Sequence, residues 1–383
     1  MKQAVYLDYA ATTPMNKAVI EEMNRIMLDY FGNPSSIHQF GRKSHFELEE
    51  ARSVIANSIN AKSDEIIFHS GGTEGDNTIL LGVARALKEK GQHIITTNVE
   101  HSAVLKPLAI LEKEGFEITY LPVDESGGIT LEQVESVVRE DTILVSVMYG
   151  NNEVGSINPI ADIGEYLADK QALFHTDAVQ AFGTEVIDVR KLNVDYLTVS
   201  AHKIYGPKGV GFSYLSSNVL APILIVGGDQ EEKKRGGTEN LAGICGLAKA
   251  VDLLKPEEKE QAKADYKIYQ DIILRELEDA GIDHQVNGGL EYKLAHILNL
   301  WIKGIDNQIL LSRLDMSGFA VSTGSACSSG TVRASRVLQA MYGEDSLAPA
   351  QSIRISFGQG LTCDTIQTFA SNLVEQILAI GNK

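Results

Sequence analysis

Cysteine is scarce in this chain. Cys245, Cys327 and Cys363 are its only three, an odd number at wide spacings. That pattern supports neither a disulfide framework nor a zinc cluster, so each thiol has to be judged singly and no metal is expected. Long apolar runs are also missing: no stretch reaches the length needed to span a bilayer, and the opening MKQAVYLD turns polar before a signal-peptide core could form. Positive charge is in deficit, with 34 Lys and Arg against 51 Asp and Glu and a net charge of -17. Such a surface repels phosphate backbones and anionic lipid, which disfavours direct nucleic-acid or membrane binding. Internal repeats and low-complexity tracts are absent as well. A cytoplasmic protein is the expectation.

What is present is an ordinary globular composition, 44% apolar over 383 residues, enough for two domains. From about residue 16 to 200, short β-rich runs alternate with amphipathic helical stretches. Strands are expected at 65–68, 93–97, 117–123, 143–149, 172–175 and 196–200, and helices at 76–90, 103–114, 131–139 and 160–170. The alternation predicts an α/β fold with a mostly parallel central sheet flanked by helices. Past Pro256 a charged helix at 257–280 is followed by strands at 296–301 and 352–357 and a last helix. These predict a large domain over 13–255 and a smaller α+β domain over 256–383 that includes residues 1–12.

In an open parallel sheet, ligands bind beyond the carboxyl ends of the strands, so the loops there carry most of the information. The segment SGGTEGDN at 70–77 follows a strand and opens a helix, where Gly72 and Thr73 can bring backbone and hydroxyl donors to a phosphate. A plain strand-to-helix turn would read the same way. At 175–180, HTDAVQ delivers Asp177 to a strand end, where a carboxylate can keep a pyridinium nitrogen charged. Gln180 is then placed to donate to a ring hydroxyl, although Asp177 alone also suits a helix cap. At 199–209, VSAHKIYGPKG holds Lys203 in a stiff turn with Ser200 and His202 beside it. A lysine so held suits an amine that bonds a carbonyl cofactor, and Lys208 reads as solvated. Phosphate loop, acid and lysine in that chain order is the arrangement of fold-type I pyridoxal 5'-phosphate (PLP) enzymes. His101, just past a strand, could stack on the cofactor ring.

The motifs go further. YLDYAATTP at 6–14, GNPSS at 32–36, GGTE at 71–74, EH at 100–101, NNEVG at 151–155, SAHK at 200–203, RGGTEN at 235–240 and STGSACS at 322–328 together cover nearly the whole chain. In these segments the sequence resembles the cysteine desulfurases of the NifS/IscS type, within the class V aminotransferase superfamily. The resemblance implies a fold-type I enzyme in which Lys203 carries PLP, His101 stacks on it and Asp177 meets the ring nitrogen. Gly72, Thr73, Ser200 and His202 would hold the phosphate. It also implies a homodimer, with Thr238 reaching the phosphate of the other subunit's cofactor, and contacts from Asn152 and Arg354 to cofactor and substrate. Independently of family, Arg354 stands in the alternating stretch 352–357, where a guanidinium is a natural clamp for an amino-acid carboxylate; a strand-face ion pair is the other reading.

Cys327 lies in a run of small residues unsuited to core packing, so a loop is predicted that brings a thiolate into the site and carries sulfur out. Cys245, inside an apolar helical stretch, is expected to be an inert core residue, and Cys363, at a helix start, is the reserve nucleophile. The expected reaction converts L-cysteine to L-alanine, with the sulfur held as a persulfide on Cys327. The acceptor implied is an iron–sulfur scaffold protein or a tRNA-thiolating enzyme. The competing readings are a class V aminotransferase or selenocysteine lyase and, in another class, a non-catalytic sulfur-relay scaffold.

Overall fold

The computed structural model describes residues 4–324 and 334–381. Its strands in chain order are β1 Val5–Tyr6, β2 Ile66–His69, β3 His93–Thr97, β4 Glu117–Leu121, β5 Thr142–Ser146, β6 Leu173–Asp177, β7 Tyr196–Ser200, β8 Gly211–Leu215, β9 His284–Val286, β10 Ile297–Ile302, β11 Phe319–Ala320 and β12 Ser352–Ser356. Seven of them form one sheet in the order β2-β8-β7-β6-β5-β3-β4. The five strands from β7 to β4 run parallel, and β8 is antiparallel to both of its neighbours. Two antiparallel steps restore the direction, so β2 points the same way as β7 and its trailing loop arrives at the same sheet edge. The fold is α/β of the fold-type I kind, as expected.

The inner strands are buried along their whole length, which is what helices on both faces of a parallel sheet require. Polar groups in these strands are consumed pairwise. His93 bonds Thr142 and Thr119 at 2.8 Å each, and His175 lies between Ser146 at 2.9 Å and Thr198 at 3.1 Å. Burial lowers the His175 pKa to about 4, so the ring is neutral and serves as a hydrogen-bonding bridge across three strands.

Two expectations of local structure need correction. The helix read at 76–90 is Gly72–Ala86, because Gly71 at φ 146° makes the entry turn directly after β2 and leaves the glycine-rich stretch inside the helix. Strand β8 was not anticipated, although GFSYL alternates as a strand should. It follows the turn at Tyr205–Gly209, where attention fell on the lysine.

A second, antiparallel sheet has the order β12-β10-β9, and the helices Pro256–Asp279 and Cys363–Gly381 pack on it through Ile273, Leu277, Phe369 and Leu373 against Leu298, Leu300, Ile353 and Ile355. The amino-terminal strand joins this part: β1 pairs with β11, and Asp8 bridges to Ser356 at the end of β12. The chain then crosses to the main sheet, where Thr13 N–H and its hydroxyl both donate to the His202 carbonyl at 2.9 Å.

Candidate active site

A cavity of about 370 Å³ opens at the carboxyl edge of the large sheet, bounded by the loops after β2, β3, β5, β6 and β7 and on the far side by Gly324 and Arg354. Gly72, Thr73, His101, Asn152, Asp177, Gln180, Ser200, His202, Lys203 and Arg354 all line it. Ten residues that the sequence singled out thus meet at one place.

Each arrives on a specific element. β7 ends at Ser200, and a single 3-10 turn over Ala201–Lys203 lifts the lysine off the sheet. The turn closes with Tyr205 in the left-handed region at φ 64°, a conformation held by hydrogen bonding of Tyr205 N–H to the Thr13 hydroxyl at 2.8 Å. Lys203 Nζ donates to the carbonyls of Ala10 at 2.5 Å and Ala11 at 2.9 Å, so the amino-terminal segment fixes the amine at the cavity wall. Gln180 Nε2 donates to the same Ala10 carbonyl at 2.8 Å. Lys208, by contrast, is exposed.

Asp177 is 7% exposed at the end of β6 and accepts from Val179 N–H at 2.9 Å. Burial, assisted by the nearby Asp76 carboxyl, pushes its pKa up to about 6, which leaves it ready to ionise fully beside a cation. His101 caps the helix Ser102–Lys113, its Nδ1 accepting from Ala103 N–H at 3.2 Å. That contact assigns the ring proton to Nε2, and burial lowers the pKa, so the imidazole is neutral. His202 is likewise neutral, its pKa lowered to about 4 by burial and by Lys203. Arg354, 2% exposed, directs Nη1 to the Asn152 carbonyl at 2.8 Å and Nη2 to Asp8 Oδ1 at 2.7 Å. The strand-face ion pair is therefore real, and the same guanidinium faces the cavity.

The sequence reading missed three acids here. Asp76, also in the cavity wall, is 1% exposed, with its pKa raised to about 7 by burial and Oδ1 without a hydrogen-bond partner among the described residues. Its Oδ1 lies 3.5 Å from His175 Nε2; acid raised and base lowered make this a contact of neutral groups rather than an ion pair. Glu100 is 1% exposed and accepts from the Thr97 hydroxyl and Met148 N–H at 2.9 Å each, with a pKa raised to about 8 by burial. The third is Asp8, the partner of Arg354. Asp8, Asp76 and Glu100 stand inside the quoted motifs, but nothing local marks them as buried.

Thr238 does not line this cavity; it lies in a separate cleft with Arg235, Glu239 and Asn240. Cys327 lies outside the described residues. Cys245 is 5% exposed in the helix Leu241–Asp252, and burial raises its thiol pKa to about 12, which makes it inert. Cys363 is exposed at the first position of the last helix.

The cavity fits PLP. A Cβ on Gly72 would stand 3.0 Å from Val179 Cγ2, so the backbone there approaches the loop after β6 as only glycine comfortably allows. The free amides of the Gly72–Ala86 helix, with Thr73, Ser200 and His202, offer donors to a phosphate, while the buried acid Asp177 is suited to a ring nitrogen and Lys203 to the aldehyde carbon.

The Aminotransferase class-V family matches residues 5–369. The putative cysteine desulfurase IscS 1 of Bacillus subtilis (strain 168) is 50% identical over 375 residues, 98% of this chain and 99% of the relative. Cysteine desulfurase IscS of Dictyoglomus turgidum is 46% identical over 378 residues, 99% of this chain and 95% of the relative. Among solved structures, one titled NifS-like protein superposes with a TM-score of 0.90 at 36% identity, covering 98% of this chain and 100% of that one. Another, titled SspA in complex with cysteine, gives 0.79 at 34% identity over 92% of this chain and 98% of its own. This chain belongs to the aminotransferase class-V family, within its IscS/NifS cysteine desulfurase branch.

Proposed function

We propose that the protein is a PLP-dependent cysteine desulfurase that converts L-cysteine to L-alanine and holds the sulfur as a persulfide on Cys327. The observation that carries the reading is the convergence of Lys203, His101, Asp177 and Arg354 on one cavity. PLP, when bound, supplies the electron sink that lets bonds at the substrate's α- and β-carbons break heterolytically.

The chain's own residues divide the remaining work. Arg354 binds and orients the α-carboxylate, with Asn152 beside it. Lys203 covalently anchors the cofactor and, released by substrate, takes the α-proton as general base. Asp177 ionises against the ring nitrogen, and Gln180 donates to the ring oxygen. Neutral His101 stacks over the ring and moves protons near the substrate sulfur. The Cys327 thiolate attacks that sulfur; the sulfur–sulfur bond forms as the carbon–sulfur bond breaks, with the electron pair left on carbon and a proton completing alanine. Cysteine plus thiol thus gives alanine plus persulfide, with no outside oxidant or reductant.

A homodimer completes the site by bringing Thr238 of each subunit to the other's cofactor. Exposed apolar side chains on the first two long helices support it: Leu28 is 76% exposed, Phe31 71% and Phe46 61%. The acceptor is an iron–sulfur scaffold protein or a tRNA-thiolating enzyme, and the location is cytoplasmic. No helix among the described residues is long and apolar enough to cross a membrane. Cys327→Ala tests the reading: sulfide release from L-cysteine should be abolished while the yellow cofactor colour persists, and undiminished release in that variant would refute it.

A further inference from the structure

Arg354 is a buried cation whose donors are already partly spent. Nη1 faces the Asn152 carbonyl at 2.8 Å and the Gly324 carbonyl at 3.4 Å, and Nη2 faces Asp8 Oδ1 at 2.7 Å. Nε is buried and has no partner among the described residues. Nε–H and the second N–H of Nη2 lie on one edge of the guanidinium, the edge that takes a carboxylate in bidentate fashion. The orphaned donor and the one beside it are what an amino-acid substrate would satisfy.

Asp8 is not a loose counter-ion. Its backbone bridges to Ser356, Leu7 C=O accepts from Ser356 N–H at 2.8 Å, and Ala10 N–H donates to the Ser356 hydroxyl at 2.9 Å. The Tyr6 hydroxyl donates to the Asp8 carbonyl at 2.8 Å and the Thr12 carbonyl at 2.9 Å, closing the turn. Two residues on, the carbonyls of Ala10 and Ala11 hold Lys203. One short segment therefore grips both the guanidinium and the amine that must act on a single substrate.

We infer that Asp8 is a positioning residue for substrate binding: its carboxylate sets the plane of Arg354 so that Nε–H and Nη2–H face the incoming α-carboxylate, in register with Lys203. The inference rests on the reading of Arg354 as the carboxylate clamp. Asp8 also occupies the rest of Nη2, so the guanidinium accepts one carboxylate and has no edge left for a second. The ligand class is thus a monocarboxylic amino acid.

The test compares two variants of the PLP-loaded enzyme. Asp8→Glu keeps the buried charge balanced but pushes the guanidinium out by one methylene; Asp8→Asn keeps an acceptor in place and drops the charge. Asp8→Glu should raise the KM for L-cysteine and the Kd for L-alanine, read by visible titration, about tenfold with kcat within about twofold. Asp8→Asn should stay within about threefold in both constants. Unchanged affinity in Asp8→Glu, with or without a lowered melting temperature, would reduce Asp8 to a structural anchor and overturn the inference. An equal rise in both variants would also overturn it, since charge rather than placement would then matter. Arg354→Lys separates the two claims: if it leaves L-alanine binding intact the clamp reading itself fails, whereas weakened binding there with a silent Asp8→Glu fails the inference alone.

Discussion

Asp76, Glu100 and Asp177 place three carboxyl groups in or beside one nearly dry pocket. Burial raises all three, to about 7, 8 and 6 respectively. In the unfolded chain these groups would titrate near 4. Between roughly pH 4 and 8 the folded apoprotein therefore holds protons that the unfolded chain has released, and stability must fall as pH rises through that window. Glu100→Gln removes one titrating acid and should flatten the decline by a few kcal/mol, at about 1.4 kcal/mol per pKa unit; urea denaturation of the apoprotein across pH measures it. For Asp177 the expectation concerns chemistry. Asp177→Asn should lower kcat by roughly 100-fold or more and blue-shift or weaken the cofactor's visible band, because an amide cannot compensate a pyridinium.

These residues also show what the sequence could and could not disclose. Lys203, Asp177 and His101 were legible because strand ends in a parallel sheet are where chemistry sits. Asp8, Asp76 and Glu100 were present in the same motifs, yet their importance comes from burial by segments hundreds of residues away, which no local pattern encodes. Arg354 was legible as a clamp, but its partner was not.

At the scale of elements, the parallel strands were readable from their apolar runs, and β3 and β7 fall at the expected residues. The helix after β2 was placed four residues late because glycines read as loop. In the fold they are the means of close packing: a Cβ on Gly75 would meet His69 Nε2 at 2.7 Å and Ser213 Oγ and Thr198 Cγ2 at 2.8 Å. All three belong to strands β2, β8 and β7, so the helix cannot back away without leaving the sheet. Gly75→Ala should therefore destabilise the apoprotein by about 1–3 kcal/mol despite its better helix propensity, as measured by urea denaturation. A neutral or stabilising result would show that the helix is free to shift.

For the whole molecule, the link between parts is the segment from Tyr6 to Thr13, which begins in the small antiparallel sheet and ends on the His202 carbonyl. Its role was invisible in a linear reading that set residues 1–12 apart only by position. The exposed Leu28, Phe31 and Phe46 carry a prediction at the same scale. Leu28→Asp combined with Phe31→Asp should convert a dimer to monomers in light scattering and, by removing the partner's Thr238, weaken PLP binding; a double variant that stays dimeric would place the interface elsewhere.

The most direct measurement of the central claim is the mass of the peptide containing Cys327 after the PLP-loaded enzyme has met L-cysteine without an acceptor. The account predicts that this peptide gains one sulfur atom, lost again on reduction, while peptides with Cys245 and Cys363 keep their masses. An unmodified Cys327 peptide alongside continued alanine formation, or the added sulfur on Cys363, would contradict it.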